Sequence, residues 1–193
     1  MRLSMILAVS LCTTTSWAGN ITGKLPIADA AEADRTVVYL ENVPGAHAPP
    51  REPVKLSQKG ARFSPPVLTV LKGTRVDMTN DDWVTHNVFS RSKTKTFDLG
   101  LYKKGEKIVE TFDKVGPVEI FCSLHPRMNG VILVLQNPHF VKPGEDGSFT
   151  LKDVPAGSYT LKIYRHGGEE QSVPVKVPAS GNVEVAAPTT PGK

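Results

Sequence analysis

The feature that most constrains this chain is a short segment that carries three metal-binding side chains at three-residue intervals. Cys122, His125 and Met128 come directly after residues 117–121, an apolar run that predicts a β-strand. An Asn-Gly turn signal follows, and residues 131–135 then predict a fully buried strand. A loop held between two core strands has little freedom to move. The three side chains are therefore expected at one end of a rigid β-sheet.

The donor atoms of this segment favour copper. Thiolate and thioether sulfurs are soft ligands and imidazole is intermediate, so the set suits copper better than magnesium, calcium or manganese. A second imidazole is available upstream, because His86 lies in the apolar, β-prone run 83–89. His86, Cys122 and His125 would then form a trigonal plane, with Met128 as a weak axial ligand.

On these residues the chain resembles the cupredoxins, the blue-copper electron carriers. The Cys-x-x-His-x-x-Met spacing, with Pro126 after the His, is most similar to the amicyanin type, and residues 86–88 are similar to the first ligand region of plastocyanins. The resemblance covers roughly residues 62–135. It implies a Greek-key cupredoxin β-sandwich that holds one copper ion, which cycles between Cu(II) and Cu(I).

The resemblance also implies roles for residues next to the ligands. Asn87 and Ser123 are expected as hydrogen-bonding neighbours of the metal site, although simple turn chemistry would equally explain them. Leu124 and Pro126 bracket the loop histidine with apolar surface, and Arg127 lies at the rim. These three residues are expected to dock a redox partner at the exposed edge of that histidine.

The N-terminus has the pattern of a secretory signal peptide over residues 1–18. Arg2 precedes an apolar run over residues 3–12, and small residues, Ser16 and Ala18, occupy the positions that signal peptidase reads. The mature chain is therefore expected to begin at Gly19 and to be periplasmic or secreted. The apolar run is too short to span a bilayer, and no membrane span is predicted downstream.

Removal of the signal would leave a single cysteine. Of the two cysteines, Cys12 would be lost with the signal, and a lipid anchor on it is disfavoured by the bulky Leu11. An exported protein with one free thiol is open to oxidation unless its sulfur is engaged, and a metal–thiolate bond would engage Cys122. The alternative is a buried, inert cysteine.

Charge and composition exclude some partners and suggest others. The formal net charge is +4, and no aromatic-interleaved basic run suggests nucleic-acid binding. Residues 90–107 hold six of the basic side chains against two acidic ones. This stretch predicts a solvated loop, or alternatively a basic docking patch for an acidic redox protein. We expect a monomer.

An all-β chain of two sandwiches is predicted, with the boundary at Asn137. The cupredoxin-like part would be residues 19–137, with strands over 62–70 and 72–80 around a Gly turn before the first ligand. Residues 138–187 alternate between apolar and polar, with Asp-Gly and Pro-Ala-Gly turns. They are similar to carboxypeptidase regulatory-like domains, which are small Ig-like or prealbumin-like β-sandwiches without catalytic residues.

The ends of the chain complete this division. Strand patterns over residues 20–25 and 36–40 resemble the opening of such sandwiches, so residues 19–45 are candidates to pack with the C-terminal segment. Residues 188–193 are expected to be a tail. Trp83 and Phe89, which flank the first ligand, are expected either to shield the metal from water or to be ordinary core.

The function predicted from these residues is one-electron transfer outside the cytoplasm, without substrate turnover. Copper binding and delivery, or copper sensing, would use the same ligands and remains an alternative. A Cys–His nucleophilic enzyme is disfavoured, because no oxyanion or orienting group accompanies Cys122 and His125. A purely adhesive β-module is a further alternative.

Overall fold

A computed structural model describes residues 18–186. The predicted signal peptide lies outside this range except for Ala18, and the predicted tail lies outside it entirely. The described residues form β-strands with one short helix, which confirms the all-β sandwich class. No helix in this part of the chain is long and apolar enough to cross a membrane.

The elements are, in chain order, β1 Ala18–Lys24, α1 Ala30–Asp34, β2 Thr36–Glu41, β3 Val54–Gln58, β4 Phe63–Ser64, β5 Val67–Leu71, β6 Thr74–Asn80, β7 His86–Arg91, β8 Thr96–Tyr102, β9 Lys107–Phe112, β10 Gly116–Phe121, β11 Asn129–Leu135, β12 Phe140–Val141, β13 Ser148–Pro155, β14 Gly157–Arg165, β15 Gln171–Val177 and β16 Asn182–Val185.

Two sheets form the sandwich that carries the predicted metal ligands. Their strand orders are β5-β11-β10-β7-β8 and β4-β3-β6-β9. The core between them includes Leu56, Met78, Phe112, Ile120 and Ile132, all of which are essentially inaccessible to solvent. Apolar side chains of both inner faces alternate with exposed ones, as expected for two packed antiparallel-rich sheets.

Two details of this sandwich differ from the sequence prediction. β5 and β6 are both strands, but they belong to different sheets, and the turn at Gly73, with φ of +88°, carries the chain between them. Residues 96–102 were predicted as part of a loop and instead form β8, which pairs with β7. Phe97 and Leu99 of β8 pack against the core, and burial of these side chains favours the strand over the solvated loop.

The other two sheets join the N-terminal strands to the C-terminal ones. β1 lies between β13 and β16, and β2 lies between β12 and β14. Ile21 and Leu40 from the first two strands share a buried cluster with Leu161 and Ile163 of β14. The C-terminal segment therefore obtains a core large enough to be stable only by incorporating strands that precede the metal-binding part in sequence.

A third apolar cluster joins the two sandwiches. Val37 and Tyr39 of β2 contribute one side of it, and Val131, Leu133 and Leu135 of β11 contribute the other. The intervening residues of both strands point into their own sandwich cores. β2 and β11 are thus apolar on both faces, which explains why their sequences are continuously hydrophobic rather than alternating.

Leu133→Ala should test the contribution of this interface. The substitution removes a side chain that is 1% exposed, so the free energy of unfolding should fall by about 2–5 kcal/mol. Urea unfolding followed by circular dichroism would measure it. Leu101→Ala, at a leucine that is 62% exposed, should change the value by less than about 0.5 kcal/mol. Equal losses in the two variants would contradict the buried interface.

Candidate metal centre

The loop of residues 122–128 is closed by main-chain hydrogen bonds. It connects the antiparallel strands β10 and β11, whose last paired residues are Phe121 and Asn129. The Cys122 N–H donates to the carbonyl of Met128 at 3.2 Å, and the Met128 N–H donates to the carbonyl of His125 at 2.8 Å. These bonds fix the backbone between the three predicted ligands of the loop.

The structure brings three of the predicted ligands together. The Nδ1 atoms of His86 and His125 are 3.1 Å apart, and Cys122 Sγ lies 3.8 Å from the first and 3.6 Å from the second. His86 is fully buried, Cys122 is 3% exposed, and His125 is partly exposed. The two segments meet because β7 pairs with β10 through Phe89 and Phe121.

These separations fit one transition-metal ion. Donor nitrogens and sulfurs bind such an ion at about 2.0–2.3 Å, so donors sharing it must lie within about 4.5 Å of one another. All three measured separations meet this limit. The mixture of thiolate sulfur with imidazole nitrogen is unsuited to magnesium or calcium, which take oxygen ligands.

Asp82 was not identified from the sequence, but it orients His86. Its Oδ2 lies 3.1 Å from His86 Nε2. An ionised carboxylate can only accept, so Nε2 carries the ring proton and Nδ1 keeps its lone pair facing Cys122 and His125. This is the tautomer that a metal bound at Nδ1 requires, and a carboxylate partner also makes the imidazole a stronger ligand.

Asp82 is itself held in place by two main-chain donors. The Ala61 N–H donates to Oδ2 at 2.9 Å, and the Trp83 N–H donates to Oδ1 at 2.9 Å. The hydrogen bond from Ala61, followed by that from His86, lowers the pKa of Asp82 to about 2. The group is therefore ionised throughout the neutral range. A sequence signal existed, since Asp82 precedes His86 by four residues, but this spacing alone does not distinguish it from Asp81.

Asn87 and Ser123 connect the two ligand-bearing segments. Oδ1 of the buried Asn87 accepts hydrogen bonds from both the N–H and the hydroxyl of Ser123, at 2.8 and 2.9 Å. Asn87 follows His86 directly, and Ser123 follows Cys122 directly. The pair therefore ties the strand that carries the first histidine to the loop that carries the thiol.

Met128 lies in the same core cluster as Cys122 and is 1% exposed. The neighbouring loop residues Leu124, Pro126 and Arg127 are exposed, and Leu124 is 50% accessible. Apolar and cationic surface thus surrounds the partly exposed His125. Among the three converging donor residues, exposed surface is therefore found at the loop histidine.

Trp83 does not shield the centre, contrary to one of the sequence expectations. Its side chain is 85% exposed, and the Lys104 ammonium lies over its ring. Phe89 is partly buried and packs against Phe121, with ring centroids 5.8 Å apart. Trp83 is thus exposed while His86, three residues later, is fully buried.

The basic stretch over residues 90–107 is partly neutralised. Lys95 pairs with Glu110 at 2.9 Å, and Lys107 pairs with Asp77 at 3.3 Å. Of the other basic side chains, Arg91 ends β7, whereas Lys93, Lys103 and Lys104 lie in the connections on either side of β8, and all four are exposed. The surface remains basic, and most of its charge lies in loops, as predicted, although β8 between them is a strand.

Known structures with a similar fold include copper proteins. A purple cupredoxin from Nitrosopumilus maritimus is 28% identical and matches 42% of this chain and 99% of its own, with a TM-score of 0.40. A reduced point mutant of amicyanin is 20% identical over 51% of this chain and 98% of its own, with a TM-score of 0.42. A copper-containing nitrite reductase from Thermus scotoductus SA-01 is 27% identical over 60% of this chain but only 28% of its own, with a TM-score of 0.43.

The TM-scores are all below 0.5, so the case for a metal centre depends on the side-chain geometry of this chain. The family model that matches is the beta-sandwich domain of ER membrane protein complex subunit 7, over residues 124–189. This match differs from the carboxypeptidase regulatory-like resemblance, and it begins within the loop rather than at Asn137. No curated protein matches the sequence.

Asp82→Asn should weaken metal binding without unfolding the protein. Loss of the carboxylate removes the group that fixes the His86 tautomer, and Cu(II) affinity should fall about 10- to 100-fold. A competition titration with a chelator would measure it. Asp81→Asn is the matched control, because Asp81 bonds Ser57 and Lys55 but not His86. Equal affinities for the two variants would contradict the role given to Asp82.

Asn87→Ala should loosen the loop. It removes the acceptor of two hydrogen bonds, so the free energy of unfolding should fall by about 1–2 kcal/mol. Ser123→Ala removes only the hydroxyl bond and should cost about half as much. Thermal unfolding of the metal-free protein would compare them. A larger loss for Ser123→Ala than for Asn87→Ala would contradict the main-chain contact.

Proposed function

We propose that this protein is a type 1 copper protein that carries single electrons between redox partners outside the cytoplasm. The observation that supports it most directly is the convergence of two imidazole nitrogens and one thiol sulfur within 3.1–3.8 Å of one another. His86, Cys122 and His125 would hold the ion, and Met128 would contribute a weak fourth ligand. No substrate turnover is proposed.

Bound copper would supply a centre that alternates between Cu(II) and Cu(I). The chain provides the donors in a fixed arrangement and excludes water from most of them. Asp82 holds His86, Asn87 holds Ser123 beside Cys122, and main-chain bonds close the loop. A site whose ligands are held in this way changes little when the ion gains or loses an electron, which suits electron transfer.

The same rigidity favours a carrier over a copper-delivery protein. Delivery requires ready release, whereas the innermost ligand here, His86, is fully buried and hydrogen-bonded at the far side of its ring. Only His125 is accessible among the three converging donors. Electrons would enter and leave through its edge, with Leu124, Pro126 and Arg127 as the surface that docks a partner.

Export is part of the proposal because of the predicted signal peptide. An oxidising compartment would threaten a free thiol, and Cys122 is the only cysteine among residues 18–186. Engagement of its sulfur by copper would protect it. The proposed location is the periplasm or the exterior of the cell.

The direct test is the visible absorption and EPR spectrum of the chain after addition of one equivalent of Cu(II). A type 1 site should give an intense thiolate-to-copper band and a narrow copper hyperfine splitting. A pale, tetragonal signal would favour a copper-handling protein. An absence of binding would contradict both proposals and leave Cys122 as a buried, inert thiol.

Two variants assign the ligands. Cys122→Ala should abolish the coloured band, because the band requires the thiolate. Met128→Ala should retain copper but shift the spectrum and the reduction potential, because an axial thioether tunes the site rather than forming it. An unchanged spectrum in Cys122→Ala would overturn the assignment. Far-UV circular dichroism should show that both variants retain their strands.

A further inference from the structure

A cleft of about 1230 Å³ opens beside the metal loop. One wall is the end of α1 with Arg35, and a second is the connection between β3 and β4 at residues 59–62. Residues 124–129 of the metal loop form the third. Because α1 precedes β2, and β2 belongs to the sheets of the C-terminal strands, the cleft exists only where the two sandwiches meet.

The wall at residues 59–62 is a tight hairpin turn. Lys59 and Arg62 exchange main-chain hydrogen bonds at 3.0 and 3.3 Å, and Gly60 and Ala61 between them have φ values of +61° and +51°. Two consecutive residues with positive φ are typical of a type I′ turn. The turn fixes the positions from which the exposed side chains of Lys59 and Arg62 extend.

The cleft is strongly cationic. Arg35, Lys59, Arg62 and Arg127 line it, and Asp34 is the one carboxylate among the described lining residues. Within residues 18–186, none of these four cations forms an ion pair, and Asp34 is already paired with Lys142 at 3.3 Å. Arg35 also contacts His166 Nδ1 at 3.0 Å. The lining nevertheless carries a surplus of positive charge, and such a surplus between low-dielectric walls attracts anionic groups.

The cleft is linked to the candidate metal centre by two routes. His125 and Met128 lie in its wall. The Ala61 N–H of the turn also bonds the Asp82 carboxylate, which contacts His86 Nε2. Asp82 therefore links the turn that carries Lys59 and Arg62 to the His86 imidazole. A ligand held by these two cations would lie in the same cleft as the His125 imidazole.

We propose that this cleft receives an acidic peptide segment of the protein that exchanges electrons with the metal centre. The inference rests on the proposed function. Four cations are more than a single small anion would engage, and the volume exceeds the roughly 300–1,000 Å³ of ordinary small-molecule pockets. An extended segment with consecutive carboxylates could contact several of these four cations at once. Guanidinium groups, which three of the four carry, bind carboxylates in a bidentate geometry.

Binding of fluorescein-labelled hexaglutamate to the full chain, measured by fluorescence anisotropy, tests the proposal. The peptide should bind, and binding should weaken as salt rises from about 0.02 to about 0.15 M. The double variant Lys59→Gln/Arg62→Gln should weaken it about 5- to 30-fold, since both cations would face the peptide. Labelled hexaglutamine should not bind.

The matched control is Lys152→Gln/Lys176→Gln. These lysines are exposed, lie on β13 and β15 away from the cleft, and form no ion pair among residues 18–186. The change in net charge equals that of the test variant, so the affinity should change less than about twofold. Equal weakening by both double variants would show non-specific attraction and would overturn the proposal, as would failure of the peptide to bind the unaltered chain.

The position of the peptide is tested separately by proton NMR of the Cu(I) form. Hexaglutamate with a nitroxide label at one end should broaden the ring signals of His125, and this broadening should be lost in Lys59→Gln/Arg62→Gln. Broadening confined to residues 90–107 would place the peptide on the basic surface around β8 and overturn the proposal that it binds in the cleft.

The two proposals fail in different ways. Anisotropy can be measured on copper-free protein and does not depend on the colour of the site. A missing thiolate-to-copper band would contradict the proposed function. A blue protein whose cleft does not bind the peptide would contradict the cleft assignment alone.

Discussion

Burial of β11 on both faces is the constraint on which the rest of the structure depends. One face, with Ile132 and Val134, completes the core of the metal-bearing sandwich, and the other, with Leu133, contacts β2 of the second sandwich. The strand also anchors the C-terminal end of the loop that carries Cys122. Because protein interiors are close-packed, β11 cannot shift without disturbing both cores. The loop of residues 122–128, which is attached to β11, is therefore also held in place.

The side chains of the candidate metal centre are positioned mainly by polar contacts that surround them. Asp82 determines which nitrogen of His86 keeps a lone pair, and Asn87 holds the backbone next to Cys122. The Asn87 contact connects two separate segments of the chain, whereas the Asp82 contact is local, four residues from His86. Contacts within the chain therefore hold the three donor side chains close together.

The sequence predicted those features that depend on neighbouring residues. The all-β class and most strands followed from alternation and turn residues, and the three donors that converge were named from their spacing and from one distant histidine. β8 was missed because the basic residues on both sides of it mask a half-buried strand. Asp82 was missed because the sequence does not show which of the neighbouring residues Asp81 and Asp82 directs its carboxylate toward His86.

The sequence by itself determined where strands occur and which donors share a loop, because both depend on local periodicity and spacing. The sequence made residues 19–45 candidates to pack with the C-terminal segment, but only the tertiary structure decided which strands β1 and β2 pair with. Hydrophobic burial is non-directional. The apolar face of a strand therefore indicates that the face is buried, but not which other strand it packs against. The cationic cleft beside His125 arises from that same long-range pairing, which brings α1 against the metal loop.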